Sequence, residues 1–438
     1  MNEFTPWTLF TDVGIISLLL LLGKLIRVKF AWAQRYFIPP SLMAGFMGLT
    51  FGPGGLGWLP LSGNMGTYAS ILIAFIFGCL PFASEAKRQG AGNRVKRMWI
   101  YSQTGMLWQW AFGALVGIGI LSVFWPVESY FGLSLPSGFC GGHGTAAAIG
   151  QAFNKMGGED MMTLAMTCAT VGILSSVFIG LTLIKWGTKK GHTSFLTTFE
   201  ELPHELRTGL LPPEKRRSMG ESSTSAISID SLAFNLSIIA MVALGGFGIS
   251  KAVSFFMPQL EMPVFSCAFV FGILVRFIFK KTGVLHYTSP RIIGHLSSAF
   301  TDFLVAFGIS AIKLSVVMNY IVPLSILLVS GLTITLIYVL VVGRWLMKKD
   351  CWLEKALFTW GWFTGTVAMG IAMLRVADPE QKSHCMEDYA LAYLFIAPVE
   401  ICLITFAPVA FANGYGLHFG LLALLLGACI MGYAKWKL

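Results

Sequence analysis

The chain carries too little charge for a soluble protein of its length. Only 12% of its 438 residues are Asp, Glu, Lys or Arg, whereas soluble domains carry about 25%. Hydrophobic residues make up 55%, and apolar runs of about 20 residues, each long enough to cross a bilayer, recur along the chain. These features exclude a soluble globular protein and predict an all-α polytopic membrane protein.

The sequence also lacks the signatures of several functional classes. Its eight cysteines form no CxxC pair, so neither a disulfide framework nor a zinc site is expected. The formal charge of +10 is not concentrated in a basic domain, so nucleic acid is not an expected partner. The sequence contains no nucleophile–base pair or metal signature, which predicts that the chain is not an enzyme.

Eleven apolar segments are predicted to be membrane-spanning helices, and a polar linker separates the first five from the rest. The linker, residues 187–230, contains Pro212-Pro213 and a Ser/Thr-rich stretch, and is predicted to be cytoplasmic. The chain therefore divides into an N-terminal half (1–186), the linker, a C-terminal half (231–414) and an extra C-terminal helix (415–438). The helices cover roughly residues 10–26, 40–59, 66–83, 99–125, 161–185, 231–256, 263–279, 296–314, 320–343, 386–411 and 417–434.

Two further apolar stretches, residues 134–153 and 354–376, contain Gly, Ser and Thr in their middle. Glycine in a helix interior costs about 1 kcal/mol relative to alanine, so glycine clusters favour a break. Broken backbone at membrane depth is tolerated only where protein or a water-filled cavity covers it. We therefore predict two re-entrant hairpins, named hairpin 1 and hairpin 2 in chain order.

The basic residues favour one topology. With the N-terminus outside and each hairpin returning to its own side, 28 of the 31 Lys and Arg lie on the inner side, and only Lys155, Lys251 and Lys313 lie outside. Because Lys and Arg are retained in cytoplasmic loops, this asymmetry predicts a multi-pass protein of a bacterial inner membrane. Its N-terminus is expected outside and its C-terminus in the cytoplasm.

The segments also form a repeat. Each half has five helices with its hairpin between the fourth and the fifth, and corresponding centres are offset by roughly 220–231 residues. Because five is odd, the two halves cross the membrane in opposite senses. Inverted repeats with discontinuous elements near the midplane are typical of secondary transporters. A channel and an intramembrane enzyme are the alternatives.

Candidate substrate-binding residues are concentrated in the two hairpins. Glycine permits sharp reversals, free N–H groups at a helix start can hold a carboxylate, and carbonyl and threonine oxygens suit Na⁺. Close helix packing is the alternative role of the glycines. The candidates are Ser137, Gly141, Gly142, His143, Gly144, Thr145, Thr364, Gly365, Thr366 and Arg375.

Two of these candidates have other possible roles. His143 could bind substrate, carry a proton or make a structural hydrogen bond. The planar guanidinium of Arg375 could clamp a substrate carboxylate. Alternatively, Arg375 could be an ordinary charge at the cytoplasmic edge, or it could pair with Asp378.

Two carboxyl groups, those of Asp302 and Glu400, lie inside apolar segments. Intramembrane ionisable groups mark ion or proton pathways. Together with Thr145 and Thr366 they are the candidate Na⁺ ligands. The alternative is a proton-coupled carrier of a carboxylate or amino acid that uses Asp302, Glu400 or His143 as its relay. Asp12 and Glu128 lie near segment ends and are expected in water.

The run Gly141-Gly142-His143-Gly144-Thr145, followed by three alanines, resembles the first re-entrant signature of the glutamate:sodium symporter family. The stretch from Ile38 to Gly45 is similar to that family's start of the second helix. The layout of five helices and a hairpin, twice, resembles the family over nearly the whole chain. Hairpin 2 departs from it, because Gly365 to Gly370 replaces the family's Gly-Ala-Thr-Pro-Thr-Ala run and contains no proline.

The resemblance implies symport of Na⁺ with glutamate or a related small carboxylate, with Na⁺ as the coupling ion and no organic cofactor. It also implies a homodimer embedded in membrane lipid, in which a hairpin-bearing core moves against a fixed scaffold. The linker and the eleventh helix look like additions to the family's layout.

Overall fold

The computed structural model describes residues 4–36, 38–83, 92–195, 208–216, 218–225, 227–256, 264–348, 350–378 and 382–437. Residues 196–207 of the predicted linker, and the basic residues Lys87 and Arg88 of the predicted topology, lie outside these ranges. The described residues form helices and no strand. The eleven main helices are α1 Pro6–Lys29, α2 Pro40–Phe51, α3 Met65–Ala83, α4 Asn93–Val116, α5 Met161–Lys189, α6 Ser231–Phe256, α7 Val264–Thr282, α8 Pro290–Ser310, α9 Ile321–Met347, α10 Cys385–Ala412 and α11 Gly416–Lys437.

The predicted fold class is confirmed. Among the described residues, nine helices are long and apolar enough to cross a membrane. One boundary was predicted wrongly, because α2 ends at Phe51 rather than near residue 59. Gly52 and Pro53 follow directly, and the amide of Leu56 turns back to the Thr50 carbonyl at 2.8 Å. Proline lacks an N–H group and cannot continue the helix.

Each Gly-rich stretch forms two helical arms with a break between them. The breaks therefore lie where the glycine clusters predict them, at residues 140–141 and 365–366, whereas the side from which each hairpin enters stays a prediction. The arms of hairpin 1 are Ser134–Phe139 and Gly142–Lys155, and those of hairpin 2 are Trp352–Thr364 and Val367–Ala377.

The helices divide into two compact units. The first unit contains residues 1–22, 41–87 and 211–311, and so holds most of α1 with α2, α3, α6, α7 and α8. The second unit contains residues 23–40, 88–210 and 312–438, and so holds α4, hairpin 1, α5, α9, hairpin 2, α10 and α11. Each unit therefore takes helices from both halves of the chain, and both hairpins belong to the second.

Asp12, in the first unit, is buried rather than solvated. Its side chain is 1% exposed. The carboxylate accepts hydrogen bonds from the Ser62 amide at 2.9 Å, the Ser62 hydroxyl at 2.5 Å and the Tyr68 hydroxyl at 3.0 Å. The expectation of a solvated Asp12 is therefore wrong, because three donors of the same unit replace water. Glu128 is exposed, as expected.

A charged network lies at the base of hairpin 2 in the second unit. Lys355 is 0% exposed, and its ammonium donates to Asp350 Oδ2 at 2.6 Å and to Asp388 Oδ2 at 2.9 Å. Arg94 lies 3.3 Å from Asp388 Oδ1. The network joins the starts of α4, hairpin 2 and α10. A buried charge is tolerated only when it is paired, so the four groups depend on one another.

We predict that Lys355→Met destabilises the protein by up to roughly 3–5 kcal/mol. The buried Asp388 loses the ammonium beside Oδ2 and keeps the half-exposed Arg94 beside Oδ1. Thermal unfolding of the purified protein in detergent is the measurement. Lys348→Met is the matched control, since Lys348 is exposed near the end of α9 and its loss should change the free energy of unfolding by no more than about 0.5 kcal/mol. Equal effects of the two changes would contradict the structural role of the network.

Candidate functional site

The breaks of the two hairpins meet each other. A side chain at Gly142 would place its Cβ 2.7 Å from the carbonyl oxygen of Gly365 and 2.7 Å from Thr366 Cγ2. Gly142 also has a φ of +60°, which favours glycine over other residues. Residues more than 200 positions apart thus come into contact through their backbones, and only glycine at position 142 leaves room for this.

Helix α5 forms a wall behind both breaks. A Cβ at Gly138 of hairpin 1 would lie 2.5 Å from the Ala169 amide nitrogen, and a Cβ at Gly365 of hairpin 2 would lie 3.1 Å from Ile173 Cγ1. A side chain at Gly172 would collide with the Thr364 carbonyl. This wall was not predicted from the sequence, although the small residues that form it recur at helical spacing, at Ala165, Ala169, Gly172, Ser176 and Gly180.

In hairpin 1, the predicted hydroxyl groups do not all face the contact. Ser137 is fully buried, and its hydroxyl donates within its own arm, to the Leu133 carbonyl at 2.8 Å and the Ser134 carbonyl at 3.0 Å. Thr145 is 4% exposed and its side chain covers Gly141 at the break. Gly144 is half-buried. The structure therefore brings Gly141, Gly142 and Thr145 together, whereas the hydroxyl of Ser137 is already used.

His143 is buried beside α5. Its side chain is 1% exposed, and Nε2 lies 3.1 Å from Thr170 Oγ1. The Thr170 hydroxyl donates its proton to the Met166 carbonyl at 2.9 Å, so it accepts from the imidazole, whose proton is then on Nε2. Nδ1 is buried and has no hydrogen-bond partner in the described part of the chain. The imidazole thus combines a structural hydrogen bond with one unused acceptor.

In hairpin 2, the two candidate threonines differ in their hydrogen bonding. The Thr364 hydroxyl donates to the Trp360 carbonyl at 2.8 Å in its own arm. Thr366 is the N-cap of the second arm, where its hydroxyl oxygen accepts from the Met369 amide at 3.4 Å. Its methyl group lies at the contact with Gly142. The Gly365 carbonyl and the Thr366 methyl group, more than the threonine hydroxyls, therefore face hairpin 1.

Two candidates lie away from the contact or in the other unit. Arg375 is exposed in the last turn of the second arm, and nine residues of helix place it roughly 13 Å from Thr366 along the chain. Asp302 is exposed in α8 and belongs to the first unit, whereas the hairpins belong to the second.

Glu400 belongs to the second unit and lies near the break of hairpin 1. Its carboxylate accepts a hydrogen bond from the Tyr393 hydroxyl at 3.0 Å, and it is an electrostatic neighbour of Cys140. At 100° per residue, Tyr389, Tyr393 and Glu400 share one face of α10, opposite the face that exposes Phe395, Cys402 and Phe406. Glu400 and Tyr393 are half-buried, whereas Tyr389 on the same face is buried.

A comparison with known proteins gives the family. A family model described as sodium/glutamate symporter matches residues 8–367, which include α1 to α9, hairpin 1 and the break of hairpin 2. Glu400 and α11 follow the matched range. No curated protein matches the chain. Because the family model covers most of the sequence, the chain belongs to the sodium/glutamate symporter family.

Proposed function

We propose that this multi-pass membrane protein couples the inward movement of Na⁺ to the uptake of glutamate or a related small carboxylate. The proposal rests on the backbone contact between Gly142 of hairpin 1 and Gly365 of hairpin 2. Membership of the sodium/glutamate symporter family supports the ion and the substrate class. The substrate site is then at the contact, and movement of the hairpin-bearing unit alternates its access.

Helix ends of both polarities meet at this contact, which suits a carboxylate and a cation together. Second arms begin at Gly142 and Val367, and first arms end at Phe139 and Thr364. Helix starts present N–H groups and a partial positive charge, which suit a carboxylate. Helix ends present carbonyl groups and a partial negative charge, which suit Na⁺. Thr145, Thr366 and Glu400 are the side chains proposed to complete the cation site.

Two other candidates predicted from the sequence fit less directly, since Arg375 lies away from the contact and Asp302 lies in the other unit. We keep Asp302 as a candidate cation ligand of the first unit.

We also propose a homodimer in lipid, in the inner membrane of a bacterium, with the topology that the basic residues predict. Proton coupling through Glu400 is the second candidate mechanism, because its carboxyl group has a hydroxyl partner and lies next to hairpin 1.

Reconstituted protein should take up radiolabelled glutamate only when an inward Na⁺ gradient is present. The expectation follows because a cation at the contact would neutralise the substrate charge before the unit moves. Initial uptake rates in proteoliposomes, with Na⁺ or H⁺ gradients imposed separately over a panel of amino and dicarboxylic acids, measure this. Uptake driven equally well by an H⁺ gradient in the absence of Na⁺ would overturn the proposed coupling.

Gly142→Ala should lower the apparent affinity for substrate at least about tenfold, because its Cβ would push the Gly365 carbonyl away. Gly157→Ala is the matched control. Gly157 also has a positive φ, +87°, but no atom of the described residues lies within 4 Å of its Cβ position. Both variants therefore carry the same kind of backbone strain, and only one disturbs the contact. Equal uptake by the two variants would refute the role of the contact.

Glu400→Gln tests the cation site against proton coupling. The amide oxygen still accepts from Tyr393, so the change removes mainly the charge. We expect the half-saturating Na⁺ concentration to rise about tenfold, with no change for Glu387→Gln, an exposed carboxylate at the start of the same helix. A proton-coupled carrier would instead lose H⁺-driven uptake in Glu400→Gln. An unaltered Na⁺ dependence would remove Glu400 from the cation site.

A further inference from the structure

Gln109 joins three elements of the second unit by one side chain. It lies in the middle of α4 and is 5% exposed. Its amide nitrogen donates to Thr335 Oγ1 on α9 at 3.0 Å and to the Phe363 carbonyl at the end of the first arm of hairpin 2 at 2.9 Å. Helices α4 and α9 are the fourth helices of the two halves. Both are thus linked through Gln109 to Phe363 of hairpin 2, which lies two residues before the break.

The Phe363 carbonyl is one of three consecutive carbonyls at this helix end. The last carbonyls of a helix lack intrahelical partners and must be satisfied by other groups. Gln109 engages the first of the three. The carbonyl of Thr364 lies beside Gly172 of α5, and that of Gly365 lies beside Gly142 of hairpin 1. The three oxygens thus have three different neighbours, and of the three the Gly365 carbonyl is the one at the contact with hairpin 1.

Hydrogen bonds and a ring stack tie together α4 and α9, the two helices that Gln109 links. The Tyr338 hydroxyl donates to the Tyr101 carbonyl at 2.6 Å, and the Tyr101 hydroxyl donates to the Val339 carbonyl at 2.7 Å. The two rings stack with centroids 5.6 Å apart. Gly105, one turn before Gln109, has room for no side chain, because a Cβ there would lie 2.6 Å from Tyr338 Cε1. The helices α4 and α9 are therefore tied together where they hold the hairpin.

The orientation of the amide is determined by its partners. The Phe363 carbonyl can only accept, so the nitrogen of Gln109 must face it. The amide oxygen is consequently buried with no partner among the described residues. An unpaired buried acceptor is unfavourable, and an apolar side chain of similar size would avoid it. The presence of glutamine here indicates that the two donated hydrogen bonds are required.

We infer that Gln109 is a positioning residue for the ion and substrate site. It holds the Phe363 carbonyl against the α4–α9 pair. It thereby fixes the break of hairpin 2, with the Thr364 carbonyl beside α5 and the Gly365 carbonyl at the contact with hairpin 1. The consequence for transport rests on the proposed function, whereas the fixing of the break does not.

The test combines Gln109→Leu with a cysteine reporter at Val367, the first residue of the second arm. Maleimide labelling of Val367→Cys in the membrane-embedded protein is quantified by peptide mass spectrometry, so the eight native cysteines can remain. We expect labelling without substrate to become about tenfold faster in Gln109→Leu. In Thr335→Val, which removes one acceptor only, a smaller acceleration is expected. The Na⁺ concentration that gives half-maximal uptake should rise in both variants.

Two controls separate positioning from general loosening. Gln151→Cys reports on hairpin 1, and its labelling should not change in Gln109→Leu. Thr333→Val removes an exposed hydroxyl of α9 that donates to the Val329 carbonyl of its own helix at 2.7 Å, and should have no effect. Equal acceleration at both reporters, or none at residue 367, would overturn the inference. If Gln109→Leu does not fold, Thr335→Val decides the question by the same readout.

The outcomes also separate this inference from the proposed function. Faster labelling at residue 367 in a protein that shows no Na⁺-driven uptake would contradict the proposed function and leave the positioning role intact. Na⁺-driven uptake whose Na⁺ dependence and labelling are the same in Gln109→Leu as in the unaltered protein would contradict the inference and leave the proposed function intact.

Discussion

Helices that end inside an apolar bundle leave backbone N–H and C=O groups that no lipid can satisfy. Both hairpins of this protein end in that way, and the rest of the second unit is arranged around the exposed groups. Glycine at 142 lets one break approach the other, small residues on α5 let both lie against a wall, and Gln109 supplies a donor to one carbonyl. The same unsatisfied groups that make the breaks costly make them suitable for an anion and a cation.

The two ends of hairpin 2 are held by different kinds of interaction. At the base, Lys355 and Asp388 are fully buried charges that lose much of their stabilisation if either partner is removed. Near the break, the hairpin is held by neutral hydrogen bonds from Gln109 and by contacts with glycine backbone. Neutral bonds contribute about 1 kcal/mol each. The base is therefore fixed more firmly than the break.

The sequence predicted the positions of the breaks because glycine clusters are unfavourable in helices whatever lies around them. It predicted the residue types at the site but not their directions. Ser137 and Thr364 were chosen for their hydroxyl groups, yet both hydroxyls bond to carbonyls of the preceding turn, a choice that depends on local rotamers. Asp12 is expected in water because it lies near a segment end, and its burial depends on Ser62 and Tyr68, which lie 50 and 56 residues away. Gln109 could not be singled out, since its role depends on Thr335 and Phe363, which are remote in the chain.

The division of the helices between the two units also bears on how the protein is made. Hairpin 1 and its wall on α5 leave the ribosome long before hairpin 2 exists, because Gly142 and Gly365 are more than 200 residues apart. At about 5–20 residues per second, the break of hairpin 1 remains without its partner for roughly ten to forty-five seconds. During that time its unpaired backbone lies in a half-built bundle. The first half of the chain therefore inserts as an unfinished structure, and only synthesis of the second half closes both units.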